Sequence, residues 1–194
     1  MEGMAGAVAE YGYPAVGIGE IVRRAGVSRR TFYEHFSGKE ECFLASYEVA
    51  AGELRRRIEN AIDPGADWPT VVDSVLHAYL STFTEDPVAG RAFLVEVESV
   101  GPRARKRKRE SMHRFAAFLK RAHARVRGAG SGESPMPDRL YVGLAHAVCE
   151  LAREQLDTAP EKPLTELQDD VLLLFTATTE GARTATPDAT PVAG

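Results

Sequence analysis

Apolar residues recur at helical spacing along almost the whole of this chain. Met4, Ala7, Val8 and Tyr11 stand at i, i+3, i+4 and i+7 and Gly12 then breaks the run, which predicts a short first helix. Ile18, Ile21, Val22 and Ala25 repeat the spacing and are closed by Gly26, which can take the left-handed conformation that ends a helix. Two residues on, Ser28 can cap another helix by accepting a bond from a free backbone N–H, and Phe32 with Phe36 gives that helix an apolar i, i+4 pair. Beyond the Ser37-Gly38 break, Phe43, Tyr47, Ala50, Leu54 and Ile58 predict a helix of about six turns that stops before Pro64 and forms a spine between two halves.

Val72, Leu76, Tyr79 and Phe83 make a further stripe that ends before Asp86-Pro87. Pro87 can open a helix carrying Phe93, Leu94 and Val97, which stops near Gly101-Pro102, and Met112, Phe115, Leu119, Ala122 and Val126 mark a long one after it. Gly128 to Pro137 is the clearest loop. Leu140, Leu144, Val148 and Leu151 predict the next helix, and Thr165 with Gln168 offers a capping box for the last, which carries Leu167, Val171, Leu174 and Phe175. The tail contains prolines and no large apolar residue other than valine, so residues 185–194 are expected to be disordered. No useful strand-period alternation and no internal repeat is present, so the chain reads as all-α, with about nine helices.

Composition narrows the class. The 194 residues are 44% hydrophobic and 27% charged, close to the averages for soluble globular proteins. No run of about 18 apolar residues occurs, and the amino terminus lacks the basic start and apolar stretch of a signal peptide, so a cytoplasmic protein is expected. Cys42 and Cys149 belong to no CxxC or Cys/His spacing, which supports neither a disulfide framework nor a zinc cluster. A net charge of -4 excludes wholesale coating of nucleic acid but leaves room for a local basic surface.

One such surface is VSRRTFYEHF, Val27 to Phe36. Residues Ile18 to Phe36 satisfy the requirements of a helix-turn-helix: an amphipathic helix, a tight turn containing glycine, and a second helix whose first residues are free to meet base edges. Arg29, Arg30 and Thr31 occupy that first turn, and the two guanidinium forks suit phosphates or guanine O6/N7. Phe32 and Phe36 fall on the opposite, core side. Glu34, one turn after Arg30, either pairs with and orients that arginine or accepts a bond from cytosine N4. Over residues 1–45 there are five basic side chains against six acidic, so binding must rest on placement and symmetry rather than on bulk charge.

AGVSRRTFYEHFSGKEE, Ala25 to Glu41, closely resembles the signature of the TetR family of transcriptional regulators, with a Tyr-x-His-Phe element running into a Lys-Glu helix start. The resemblance covers about Met4 to Leu54; the later helices match in number, order and length. It implies an all-α homodimer with a helix-turn-helix DNA-binding domain over residues 1–45 and a ligand-binding and dimerisation domain over 46–184. Carried across residue by residue, it makes Ser28, Arg29, Arg30 and Thr31 the start of the recognition helix, places Tyr33, Glu34 and His35 on or near the DNA, and makes Lys39 a phosphate-binding lysine. Two features depart from the pattern. Gly17 replaces the usual Thr or Ser cap of the second helix, and the usual basic arm with about one helical turn before Met4 is missing, which leaves a start upstream of Met1 open.

The same resemblance encloses an effector pocket between helices that here carry Trp68, Tyr79, Phe83, Phe93, Phe115 and Phe118, with His77, Glu96 or His113 as polar anchor. Each aromatic alone reads as core before it reads as pocket wall; together they imply a largely apolar effector. The run PRARKRKRE, Pro102 to Glu110, has six basic residues among the seven from Arg103 to Arg109, lacks interleaved aromatics, and is expected to be the solvated start of a helix. The histidines show no metal-ligand spacing, and the paired carboxylates have no accompanying nucleophile or phosphate loop, so neither a metal, a cofactor nor an enzyme is expected. The expected function is a dimeric repressor that binds a palindromic operator and is released by a small apolar effector. The alternatives are a dimeric DNA-binding regulator without an effector and a helical enzyme on a recruited scaffold.

Overall fold

In the computed structural model, which describes residues 2–127 and 136–185, every regular element is helical. The first three helices are α1 (Glu2–Tyr11), α2 (Ile18–Ala25) and α3 (Arg29–His35). The α2–α3 turn forms as its residues dictate. Gly26 lies in the left-handed region at φ 66°, where its N–H reaches back to the carbonyls of Val22 and Arg23. Ser28 then stays extended and its Oγ accepts the Thr31 N–H at 3.0 Å. Gly17 begins α2 without a side-chain cap, and a Cβ there would meet nothing within 4 Å. Gly17→Ser is therefore expected to raise stability by a few tenths of a kcal/mol, read as a small rise in the thermal midpoint; a fall would contradict this cap geometry.

Next come α4 (Lys39–Ala61) and α5 (Trp68–Glu85). The α5 helix is capped by Asp67, whose carboxylate accepts the Thr70 N–H at 3.1 Å. It buries residues on nearly every side, Val71, Val75, Leu76 and Leu80 among them, as a central helix must. The remaining helices are α6 (Pro87–Gly90), α7 (Val97–Val100), α8 (Pro102–Val126), α9 (Asp138–Thr158) and α10 (Gln168–Ala185).

Two local expectations are corrected. The helix opened by Pro87 is not continuous: Arg91–Val95 is a π-helical turn closed by a bond from the Glu96 N–H to the Arg91 carbonyl at 3.0 Å, and it separates α6 from α7. Within this turn Phe93 packs against Phe43 and Tyr47 of α4 while Leu94 joins the cluster of α5, α8 and α9, so adjacent side chains enter different apolar clusters. At the other site Thr165 lies in a 3₁₀ turn, Leu164–Leu167, and α10 starts at Gln168. The Gln168 amide does not return to Thr165; its Nε2 donates to Asp73 at 2.7 Å and its Oε1 lies 3.1 Å from His77 Nδ1, tying α10 to α5. The predicted loop from Gly128 and the predicted tail fall largely outside the described residues.

The apolar residues form two clusters. The larger lies among α5, α8, α9 and α10, with Ile58 of α4. The smaller joins α1, α2 and α3 to Cys42, Phe43, Leu44 and Tyr47 of α4, and is completed by Ala92, Phe93, Val97 and Ala104 from later in the chain. Thus α4 belongs to both, and the helix-turn-helix unit is closed by residues that precede and begin α8.

Candidate nucleic-acid interface and cavity

The α3 surface carries Arg29, Arg30, Tyr33, Glu34 and His35 exposed, with Thr31 half-buried and Phe32 beneath at 4% exposure. Ser28 Oγ also lies 2.9 Å from the Thr31 hydroxyl, which fixes both at the start of the helix. Tyr33, 57% exposed, rests its ring edge-on against Phe32.

The charges of this region are sorted by their partners. Arg23 and Arg24 are engaged by Glu20, and Arg24 also by Glu10, so both guanidiniums are held on α2. Arg30 Nε donates to Glu34 at 3.1 Å, with both side chains largely in solvent; the carboxylate therefore stands beside the arginine as an i, i+4 partner. Among the described residues Arg29 makes no ion pair, and its guanidinium lies against Gly19, where a Cβ would come within 3.0 Å of Nη2. Arg29 is the unneutralised cation of α3.

Lys39, expected to bind phosphate, is also engaged within the fold. Its Nζ donates to the carbonyls of Tyr13 and Val16 at 2.7 and 2.8 Å and sits 4.1 Å from the Tyr13 ring centroid. Burial lowers its pKa from the ordinary lysine value. Two of its three N–H donors bind the α1–α2 loop, and one remains for an external acceptor. Lys39→Ala is expected to destabilise the fold by about 1–3 kcal/mol, because two part-buried carbonyls lose their donor. Denaturant unfolding checks this; an unchanged midpoint would contradict the role.

Above this region a cavity of about 530 Å³ lies among α4, α5, α8 and the π-turn, a size suited to a small organic molecule. Tyr79, Phe83, Phe93, Phe115 and Phe118 line it together with Tyr47, Leu54, Ile58 and Met112. The Tyr79 phenol is buried beside Cys149, and burial raises its pKa well above the ordinary value. The Tyr47 phenol is likewise pushed up by burial, to about 12, with Ser111 beside it.

The other four residues expected around a pocket stand elsewhere. Trp68 stacks on His123 at 4.0 Å between ring centroids. His77 binds Gln168 on the exposed side of α5, and His113 is exposed on α8. Glu96 turns away to the α1–α2 loop, where its Oε2 accepts the Tyr13 N–H at 2.9 Å. The loop approaches closely there: Gly12 has φ 75°, and a Cβ on it would lie 3.5 Å from the same carboxylate. In the sequence Tyr47, Leu54, Ile58 and Met112 stand only as members of helical stripes; their i, i+4 faces are the available signal for a shared wall.

The basic run opens α8 with most of its side chains exposed, as expected, and some of them also pair with other helices. Arg103 lies 3.5 Å from Glu40, Arg107 3.0 Å from Glu48 and Lys108 2.8 Å from Glu98, so the start of α8 runs along α4 and α7.

A helix-turn-helix unit ahead of a helical domain with an apolar cavity is the architecture of one class of bacterial regulators. Residues 6–46 match the family described as bacterial regulatory proteins, tetR family. The family match is thus confined to the helix-turn-helix region, and the chain as a whole shares the fold of solved tetR-family regulators. The HTH-type transcriptional activator FasR of Mycolicibacterium smegmatis is 43% identical over 75 residues, 39% of this chain and 34% of that protein's length. FadR of Bacillus subtilis, solved in complex with stearoyl-CoA, superposes with a TM-score of 0.77 at 20% identity, covering 89% of this chain and 94% of the other. The fatty acid degradation regulator FadR of Bacillus halodurans gives 0.77 at 17% identity over 89% and 90% of the two chains. PfmR of Thermus thermophilus, a TetR family transcriptional regulator, gives 0.64 at 19% identity over 89% and 98%.

Proposed function

We propose that this chain is a cytoplasmic transcriptional repressor that binds a palindromic operator as a homodimer and is released when a long-chain apolar effector fills the α4–α5–α8 cavity. The α3 surface supports the DNA half of this reading: Ser28 caps the helix, Arg29 and Arg30 are exposed in its first turn, and Thr31, Tyr33, Glu34 and His35 surround them. Leu173 and Leu174 of α10 are 68% and 39% exposed, as large apolar residues awaiting a partner would be. Packing α9 and α10 against their mates as four helices would present two α3 helices to successive major grooves about 34–36 Å apart.

The observation that carries the coupling is Phe93. It lines the cavity and also lies 5.7 Å from the Phe43 ring and 5.9 Å from the Tyr47 ring, centroid to centroid. Three residues later Glu96 holds the Tyr13 N–H, and the Tyr13 carbonyl holds Lys39. A chain pressed against Phe93 therefore bears on the α1–α2 loop and the start of α4 through packed rings and two hydrogen bonds. Likeness to a FadR solved with stearoyl-CoA supports a fatty-acyl effector.

The test is a pair of titrations with stearoyl-CoA. At 100 times its Kd the ligand should stabilise the protein by about 2.7 kcal/mol and weaken operator binding by about 100-fold. Stabilisation without loss of DNA affinity would favour an activator, the role for which the mycobacterial FasR is named. No stabilisation by any fatty-acyl compound would leave a regulator without such an effector.

Glu96→Ala is expected to leave ligand affinity within about twofold while reducing operator release by about tenfold, the scale of coupling changes along such a network. Unaltered release would remove the Tyr13 link from the route. On the DNA side, Arg30→Ala should weaken operator more than non-specific binding, whereas Lys39→Ala should weaken all sequences alike and flatten the salt slope by about one unit. Equal loss on all DNA from both would contradict these roles.

A further inference from the structure

The rim of the cavity has a charge pattern that an apolar effector alone does not use. Arg55 of α4 and Arg114 and Arg121 of α8 all line the cavity and are exposed to solvent. Arg114 lies 3.9 Å from Glu48, which is held more closely by Arg107 at 3.0 Å. Arg55 and Arg121 make no ion pair among the described residues, although Glu59 shares the rim with them. Exposed arginines without an ion pair among the described residues also occur elsewhere on the chain, Arg29 and Arg109 among them; what distinguishes Arg55 and Arg121 is that both stand at the rim of a mostly aromatic wall.

We infer that the cavity takes an amphiphile with an anionic head, its tail among Tyr47, Tyr79, Phe93 and Phe115 and its head between Arg55 and Arg121. This rests on the proposed reading that the cavity holds a long apolar chain. The chemistry follows from the two kinds of surface. The wall is too apolar to solvate a charge, and a guanidinium offers a planar fork that matches carboxylate or phosphate oxygens. A neutral chain would leave both arginines as they are, whereas an anion would satisfy them at the point where the chain leaves the protein. The head is an oxyanion, and its two sources are the carboxylate of a free fatty acid and the phosphates of a fatty-acyl nucleotide thioester.

Equilibrium dialysis with the full chain separates the possibilities, using stearate, 1-octadecanol and stearoyl-CoA on the wild type and on the R55Q/R121Q double variant. Wild type should bind the anionic compounds at least about tenfold tighter than the alcohol, with an advantage that shrinks as salt is raised. In the double variant that advantage should vanish while octadecanol binds as before. Loss confined to stearoyl-CoA assigns the head to phosphate, and equal loss for stearate assigns it to any oxyanion; either supports the inference. Equal binding of alcohol and acid by the wild type would overturn it and leave the apolar cavity standing. An equal fall for all three compounds in the variant would also overturn it, since the arginines would then be supporting the fold. Failure of every C18 compound to bind the wild type would overturn the cavity reading itself and this inference with it.

Discussion

Phe43→Ala is expected to lower the free energy of unfolding by about 3–5 kcal/mol, the usual loss for a large aromatic truncated in a packed core. Phe43 is fully buried, packs edge-on against Tyr13 at 5.5 Å and tilts against Phe93 at 5.7 Å. It thereby joins three segments: the α1–α2 loop, the spine helix and the π-turn. A domain stabilised by only about 5–15 kcal/mol cannot absorb such a loss without a large fall in midpoint, and the helix-turn-helix unit should loosen first. Val49→Ala on the same helix, at a residue 54% exposed, should change stability by less than about 0.5 kcal/mol. Denaturant unfolding of both variants makes the comparison; similar losses would mean that this cluster does not hold the fold as described.

The second large effect is acid sensitivity centred on His123. This histidine is 6% exposed, stacks on Trp68, and places Nδ1 3.0 Å from the Tyr141 hydroxyl. Burial, with Arg127 adding repulsion, pushes its pKa down from 6.5 to about 4. Above pH 6.5 the ring is neutral whether the chain is folded or not, and its packing is fully available. As pH falls from 6.5 toward 4 the unfolded chain takes up a proton that the folded ring refuses, so stability is lost across that window. Each tenfold drop in the ring's proton affinity on folding corresponds to about 1.4 kcal/mol, so the loss reaches up to about 3 kcal/mol. His123→Phe keeps a flat ring against Trp68 and has no proton to gain, so unfolding free energy followed from pH 7 to pH 4 should slope less steeply than in the wild type. Parallel profiles would show that His123 is not the titrating group. Carboxylates held below their ordinary range, Glu41 by Ser37 and Asp67 by Thr70, contribute mainly at lower pH and are common to both proteins.

What is readable in the sequence follows the distance over which each interaction acts. Gly26 and Ser28 are legible because a left-handed turn residue and a cap satisfy backbone groups within three or four positions. The α4 spine and the buried stripe of α5 are legible because burial of one face imposes a 3.6-residue period. Glu96 is not, since its partner, the Tyr13 N–H, is 83 positions away and nothing local distinguishes it from any other carboxylate. Gln168 has a sound local role as part of a capping box, and contacts to Asp73 and His77 on α5 displace it. The π-turn that splits the sixth predicted helix leaves the apolar spacing of Phe93, Leu94 and Val97 almost unchanged, so periodicity does not register the inserted residue.

The cavity shows the same division. Helical stripes point to Tyr79, Phe83, Phe93, Phe115 and Phe118, yet an aromatic residue facing a core and one facing a cavity leave the same pattern. Trp68 shares that pattern and stacks on His123. The basic run from Arg103 is remote from α3 in the chain, and its contacts with Glu40 and Glu48 depend on α8 lying alongside α4.

Selection of bound fragments from random duplex DNA tests the central claim, that α3 reads an operator as half of a symmetric pair. The wild type should enrich a palindrome whose half-site centres lie about 10–10.5 base pairs apart, or a multiple of that spacing. The same selection with Arg29 and Arg30 both changed to alanine should lose the enrichment. Recovery of no common sequence by the wild type, or of the same sequence by both proteins, would contradict it.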